Sequence, residues 1–290
     1  MDTNSLKYQF KTSSIIIKLI AINAVIFLAV QLLVFFSDMK EVNLTEWFSL
    51  PESFGDVLLQ PWSLFTYAFL HSGFRHILFN ILFLYWFGRF VLNLFSEKQF
   101  LTIYLLGAFF GGLLYVTAFS VFPALKEPIA TRLIGASGAV IAIMVFIATY
   151  TPNAEVMIFR FRIKLWQIVL TLVLLMVFLS KSDNIGGLLA HIGGAIFGFV
   201  YARQLQKGND IGKWFENLID WVENLFKPRK KKPFTKVHRN KKTASKRTTT
   251  DAKNDNQKKI DEILDKIGKS GYDSLTKAEK DFLFKAGKDD

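Results

Sequence analysis

The run NIGGLLAHIGGAIFGFVYA, residues 184–202, carries no charge and lies between Asp183 and Arg203. A helix needs roughly 17–25 mostly apolar residues to cross a bilayer core, so this run is long enough to span. Two features mark its interior. Gly194 and Gly198 stand four residues apart and form a bare ridge along which a second helix can approach closely. His191 lies beside that ridge, a turn or two below one end. An ionisable group inside a span costs a few kcal/mol to insert, so it is either a helix-bonding residue or a functional one.

Working outward, four more uncharged runs appear at residues 19–37, 99–125, 133–154 and 165–180. A sixth, residues 74–95, is interrupted near its ends by Arg75 and Arg89, whose long stems can snorkel to the interfaces. The reading is an all-α polytopic membrane protein, a six-helix bundle. The composition agrees: 51% of the 290 residues are hydrophobic and 30 are Phe. A soluble secreted enzyme is excluded. The first run is too long for a cleaved leader, and residues 37–40 offer no small-residue cleavage site.

The net charge of +12 is local. Residues 227–247 hold eleven Lys/Arg and no acid, leaving 25 basic against 24 acidic residues elsewhere. That pattern describes a neutral membrane body with a basic tail and speaks against nucleic acid as a partner. Without cysteine, the chain has no disulfide, no thiolate nucleophile and no Cys-ligated zinc. Placing both termini in the cytoplasm puts ten of the Lys/Arg near the spans inside and five outside, which favours that topology and suits a bacterial plasma membrane.

The chain divides into a cytoplasmic N-terminus (1–18), the six-span body (19–207), an interfacial segment (208–226), a basic linker (227–250) and a small helical tail (251–290). In residues 211–226, Trp214, Leu218, Trp221 and Leu225 recur at helical spacing with acids between them, as in an amphipathic helix lying in the interface. The basic segment is either drawn to anionic lipid headgroups or a solvated spacer. Two short helices are expected in the tail, at 257–267 and 277–286, with Thr276 and Glu279 forming a capping box at the second.

Three of the four histidines, His71, His76 and His191, lie in or at the mouth of spans. In HSGFRHILFN (residues 71–80), His76 and Asn80 are one helical turn apart and share a face, while His71 points elsewhere. Both can donate to a common point, which suits a developing oxyanion; both could equally bond neighbouring helices. Gly135-Ala-Ser137-Gly138 opens the fourth span from the same side, its glycines allowing close packing and leaving the hydroxyl accessible. If the sixth span packs on the fourth, His191 comes within reach of Ser137, and a neutral imidazole there could take its proton. No acid is placed to orient His191; Asp183 is eight residues away. A three-histidine metal site is disfavoured because His71 and His76 do not share a face. A proton-relay transporter would show inverted internal repeats, and none is visible.

HSGFRHILFN, GASG and GGLLAHIGGAIFG, in this order on the second, fourth and sixth spans, resemble the rhomboid family of intramembrane serine proteases. The resemblance covers residues 60–204. It implies a rhomboid-like fold and a Ser137–His191 dyad, with Ser137 as nucleophile and His191 as general base. It further implies an oxyanion site of His76, Asn80 and the Ser137 backbone N–H, with His71, Gly135 and Gly138 in support. The substrates would be transmembrane proteins, and no cofactor would be needed. Three positions depart from the family pattern. Leu92 stands where a Glu is common, Ile141 where an aromatic often lies under the catalytic His, and Ser63 follows Trp62 where Arg is typical. The alternative is an inactive relative that binds membrane helices without cutting them, against which the retention of both Ser137 and His191 counts.

Overall fold

The computed structural model describes residues 6–37, 40–125, 132–158, 160–179, 184–226 and 250–286. The chain forms two compact units, which meet in sequence between Lys227 and Pro228. Asp183 and residues 227–249, which contain the basic segment, lie outside the described residues.

The first unit is a helical bundle. A short α1 (Leu6–Thr12) precedes α2 (Ile15–Ser37), and small helices α3 (Glu41–Thr45), α4 (Phe54–Leu59) and α5 (Ser63–Thr66) occupy the long first loop. Then follow α6 (Phe74–Leu92), α7 (Glu97–Val121), α8 (Ser137–Tyr150), α9 (Leu165–Leu179) and α10 (Ile185–Gln206), with α11 (Lys213–Phe226) behind them. Thus α2 and α6–α10 correspond to the six apolar runs, and the protein is an all-α membrane protein. On length and composition, α2, α7 and α10 are each sufficient to cross a bilayer, while α8 and the described part of α9 are shorter apolar helices.

The fourth span is the exception to the expected bounds. Residues 133–154 read as one long helix, but α8 has only 14 residues. At 1.5 Å per residue this is about 21 Å, short of a hydrocarbon core of about 30 Å. The difference lies in what precedes it. Leu133 pairs as a strand with Leu50 of the first loop, and Arg132 pairs with Pro51. The Gly135 N–H donates to the Tyr67 carbonyl at 2.9 Å. Residues 132–133 are therefore held as strand and Gly135 is tied to the loop, so the helix begins only at Ser137.

The short helix is the core of the unit. Residues Gly138–Met144 are all buried, and Phe146, Ile147 and Ala148 complete the buried set. Its closest neighbour is α10, and glycine is the reason. A Cβ built on Gly194 would stand 2.1 Å from the Gly138 carbonyl oxygen, and one on Gly198 would stand 2.3 Å from that of Ala142. The ridge read in the sequence is thus the α8–α10 seam. On the other side, a Cβ on Gly107 of α7 would meet the Ala142 methyl at 2.5 Å. Three helices pack backbone to backbone, where neither lipid nor water separates them.

At the end of the bundle away from Ser137, polar contacts tie the helices together. Gln206 of α10 donates to the Thr149 and Tyr150 carbonyls, at 3.0 and 3.2 Å. Lys98 at the start of α7 is ion-paired with Asp220 of α11. The amphipathic helix leaves Trp214, Leu218, Trp221 and Leu225 exposed, while Phe215 packs into the bundle. Between α8 and α9 lies a feature that the hydropathy reading passed over, a hairpin of β1 (Glu155–Ile158) and β2 (Phe161–Lys164). Its alternating sequence carries a strand signal, but residues 155–164 read only as an inner loop when spans are sought.

The second unit contains α12 (Thr250–Ser270) and α13 (Lys277–Ala286). The first is longer than the expected 257–267, because its opening turns have no apolar stripe to reveal them. Gly271, at φ 76°, ends it in the left-handed conformation that favours glycine. Thr276 and Glu279 cap α13 reciprocally: the Thr276 N–H donates to Glu279 Oε2 at 2.8 Å, and the Glu279 N–H donates to Thr276 Oγ1 at 3.4 Å. Lys266 of α12 reaches the same carboxylate at 2.9 Å.

Candidate active site

Three helices begin at one end of the bundle, and each carries a polar side chain in its first turns: His76 and Asn80 on α6, Ser137 on α8, His191 on α10. They line one cavity of about 570 Å³. That size is within the range of small-ligand sites, about 300–1,000 Å³. Most of its remaining wall is apolar, with Phe79 and Phe83 from α6 and Leu172 and Leu175 from α9, while Arg75 and Asn184 add polar groups.

Ser137 Oγ lies 2.7 Å from His191 Nε2, within hydrogen-bond reach of a nucleophile–base pair. The backbone that carries His191 has little freedom. Ala190, the residue before it, is wedged between helices: Cβ atoms on Gly111 of α7 and Gly138 of α8 would lie 2.8 and 3.1 Å from its carbonyl oxygen. Gly138 therefore lets the serine helix come close enough for the imidazole to reach. His191 Nδ1 is buried and has no hydrogen-bond partner among the described residues. Among the described residues no carboxylate reaches the ring there, and packing holds it.

His76 is turned toward the serine by its own loop. The Ser72 N–H and Oγ lie 3.5 and 3.2 Å from His76 Nδ1. A backbone N–H can only donate, so Nδ1 is the acceptor and the neutral ring carries its proton on Nε2. That nitrogen faces the turn before α8. A methyl built on Gly135 would stand 2.7 Å from His76 Nε2 and 3.7 Å from Ser137 Oγ. The empty place at Gly135 is thus bordered by both groups, and with φ at 130° the residue itself sits where side chains are strained. Gly135 is required twice over, by its backbone angle and by the space.

Asn80 is 6% exposed, and its Nδ2 donates to the His76 carbonyl at 2.9 Å. One amide proton is thus spent within α6, a refinement of the expectation that Asn80 and His76 both aim at a common point. The second N–H remains available to the cavity. His71 does not line the cavity. It is 3% exposed, and its ring meets that of His76 edge-on with centroids 5.0 Å apart.

The α8 N-terminus adds donors of another kind. The first N–H groups of a helix have no intrahelical acceptor and carry the positive end of the dipole. The Ser137 N–H is one of these. Of the three departures from the family pattern, Ile141 is fully buried within α8 and Ser63 is fully buried in α5. Trp62 keeps a structural bond, donating from Nε1 to the Trp47 carbonyl at 2.7 Å.

Two contributors escaped the sequence reading. Ser72 sits inside the quoted HSGFRH stretch, and its spacing of four from His76 was the available signal. Tyr67 offered none: its carbonyl holds Gly135, and its hydroxyl donates to the Ala108 carbonyl at 2.7 Å, pinning the loop against α7.

Residues 58–207 match the rhomboid domain family, and residues 247–285 match a family of unknown function, DUF6576. The chain is similar to RHOMBOID-like protein 12, mitochondrial, of Arabidopsis thaliana, with 31% identity over 164 residues, 50% of this chain and 47% of that one. It is also similar to Rhomboid-like protease 1 of Toxoplasma gondii, with 30% identity over 162 residues, 54% of this chain and 51% of that one. The chain thus spans about half the length of these curated relatives.

Proposed function

Given that the chain belongs to the rhomboid family, we propose that it is an intramembrane serine endopeptidase that cuts substrate transmembrane helices near their outer ends. The observation that carries this is the 2.7 Å approach of His191 Nε2 to Ser137 Oγ in a cavity that also holds His76 and Asn80. The printed name of the Toxoplasma relative, a protease, supports the reaction class.

In this reading His191 Nε2 accepts the Ser137 hydroxyl proton as Oγ attacks the scissile carbonyl carbon. The carbonyl oxygen gains negative charge and is met by the His76 Nε2–H, the free Asn80 N–H and the Ser137 backbone N–H. His191 then passes its proton to the leaving amine, and the peptide C–N bond breaks. Water, deprotonated by His191, releases the acyl group and restores the serine. A helical substrate hides its carbonyls in the i→i−4 ladder, so it must unwind before attack. Segments with glycine or other poor helix formers unwind at least cost. The site lies in a membrane protein with both termini in the cytoplasm, and the bacterial plasma membrane is the proposed compartment.

The test is cleavage of a single-span substrate by the purified protein in liposomes. Ser137→Ala and His191→Ala should each lower the rate by about 10³-fold or more, with no effect of a chelator. Cleavage that survives Ser137→Ala would reject the dyad. A wild-type protein that binds membrane helices but cuts none would instead establish the non-cutting relative.

A further inference from the structure

The hairpin between α8 and α9 is exposed at the end of the bundle away from the cavity. Its register sets Glu155 opposite Lys164, Val156 opposite Ile163 and Met157 opposite Arg162. Opposed residues of an antiparallel pair project to the same side and neighbours alternate, so Val156, Ile163 and Phe161 share one face. Arg162 and Lys164 share the other with Glu155 and Met157. Val156 packs against the bundle core, but Phe161, farther out on the same face, is 72% exposed. The apolar face therefore overhangs the edge of the bundle. Beside it stand Arg160, Arg162 and Lys164, with no ion pair among the described residues.

We propose that this hairpin binds anionic phospholipid headgroups, with Phe161 entering the acyl boundary and the three basic side chains holding lipid phosphates. Position favours a lipid over a soluble partner. Lys164 runs directly into Leu165 of α9, and a four-residue strand extends about 13 Å, so the hairpin stays near the membrane surface. Charge favours an anionic lipid. Arg203 and Lys207 lie at the same end of the bundle, at the close of α10, and membrane proteins place such basic ends toward the anionic leaflet. Trp166, part-exposed in the first turn of α9, is the side chain expected at headgroup level. A thin element with an apolar edge and long cationic stems can lie flat and reach phosphates around its sides. This reading needs only the membrane fold and is independent of the catalytic proposal.

The chain has no cysteine, so a single Phe161→Cys substitution can be labelled with an environment-sensitive fluorophore in the full protein. The labelled protein would be placed in nanodiscs of phosphatidylcholine, with or without phosphatidylglycerol, containing lipids with a nitroxide quencher just below the headgroups. The expected result is quenching that deepens with phosphatidylglycerol. The triple variant Arg160→Gln, Arg162→Gln, Lys164→Gln should lose that increment. It should also retain several-fold less phosphatidylglycerol relative to phosphatidylcholine on extraction, since each basic residue at a charged surface is worth about fivefold. These side chains are exposed, so an unchanged unfolding temperature would show that the variant is intact. A label that stays in water in both lipids overturns the proposal and leaves the hairpin to a protein partner. Equal quenching with and without phosphatidylglycerol overturns the assignment of anionic headgroups.

Discussion

Ser137, His191 and His76 owe their arrangement to residues with almost no side chain. Gly135 is the sharpest case, because its φ of 130° and the nearness of His76 Nε2 each exclude a Cβ. Gly135→Ala should strain the turn and push His76 from the serine. A displacement of about 1 Å at a reacting centre costs about 10²-fold, so cleavage should fall by that order while circular dichroism stays helical. Normal cleavage in that variant would deny the turn its positioning role. His76→Ala and Asn80→Ala each remove one donor and should lower kcat by about 10²–10³-fold, with a smaller change in KM. If only KM moves, the two residues bind substrate and do not stabilise the oxyanion. Ser72→Ala leaves His76 without the hydroxyl at Nδ1; its effect should be smaller and should take the form of a changed pH profile.

Helix pairing at the next scale depends on glycine ridges facing carbonyl groups. In α8 and α10, Gly194 faces the Gly138 carbonyl and Gly198 faces that of Ala142, so the backbones touch along two turns. Gly194→Leu must force the helices apart and should destabilise the bundle by about 3 kcal/mol, the upper part of the overpacking range. Gly73→Ala is the matched control: nothing lies within 4 Å of its Cβ position and its backbone is extended, so its effect should stay within about 0.5 kcal/mol. Unfolding of both variants in mixed micelles checks the contrast, and equal stabilities would mean that the ridge is not a packing seam. The G-x-x-x-G spacing was legible because small residues four apart fall on one helix face. Its partner was not, since any of five other spans could have filled the ridge.

For the whole molecule, the two units rest on different physics. The membrane unit is held by close packing of apolar and small side chains. The tail buries only Ile263 and Leu275 among its described residues and relies on polar contacts instead. The Thr276 N–H, followed by Lys266 and the Thr276 hydroxyl, holds the Glu279 carboxyl down to about 2. A depressed carboxyl stabilises the folded state above its ordinary range, and the gain is lost as pH falls. Amide exchange of α13 in the full chain should therefore quicken as pH drops from about 4.5 toward 2, after correction for the intrinsic rate. Glu279→Gln should reproduce the loss at neutral pH. Unchanged protection in that variant would move the hold on α13 to its apolar contacts.

The number of apolar helices, the basic tail, the α13 cap and the membership of Ser137, His191, His76 and Asn80 in one group of polar residues could all be read from sequence. Hydropathy, charge and turn spacing are local properties, and three separated motifs in a fixed order carry their own signal. Tertiary structure decided the rest. It alone shortened the fourth span, because strand pairing with Leu50 and the bond to Tyr67 act across the loops that separate them. It set His71 behind His76, turned one Asn80 proton back onto its own helix, and left His191 Nδ1 to packing. Each of these depends on which surfaces meet, and surfaces meet only once the chain has folded.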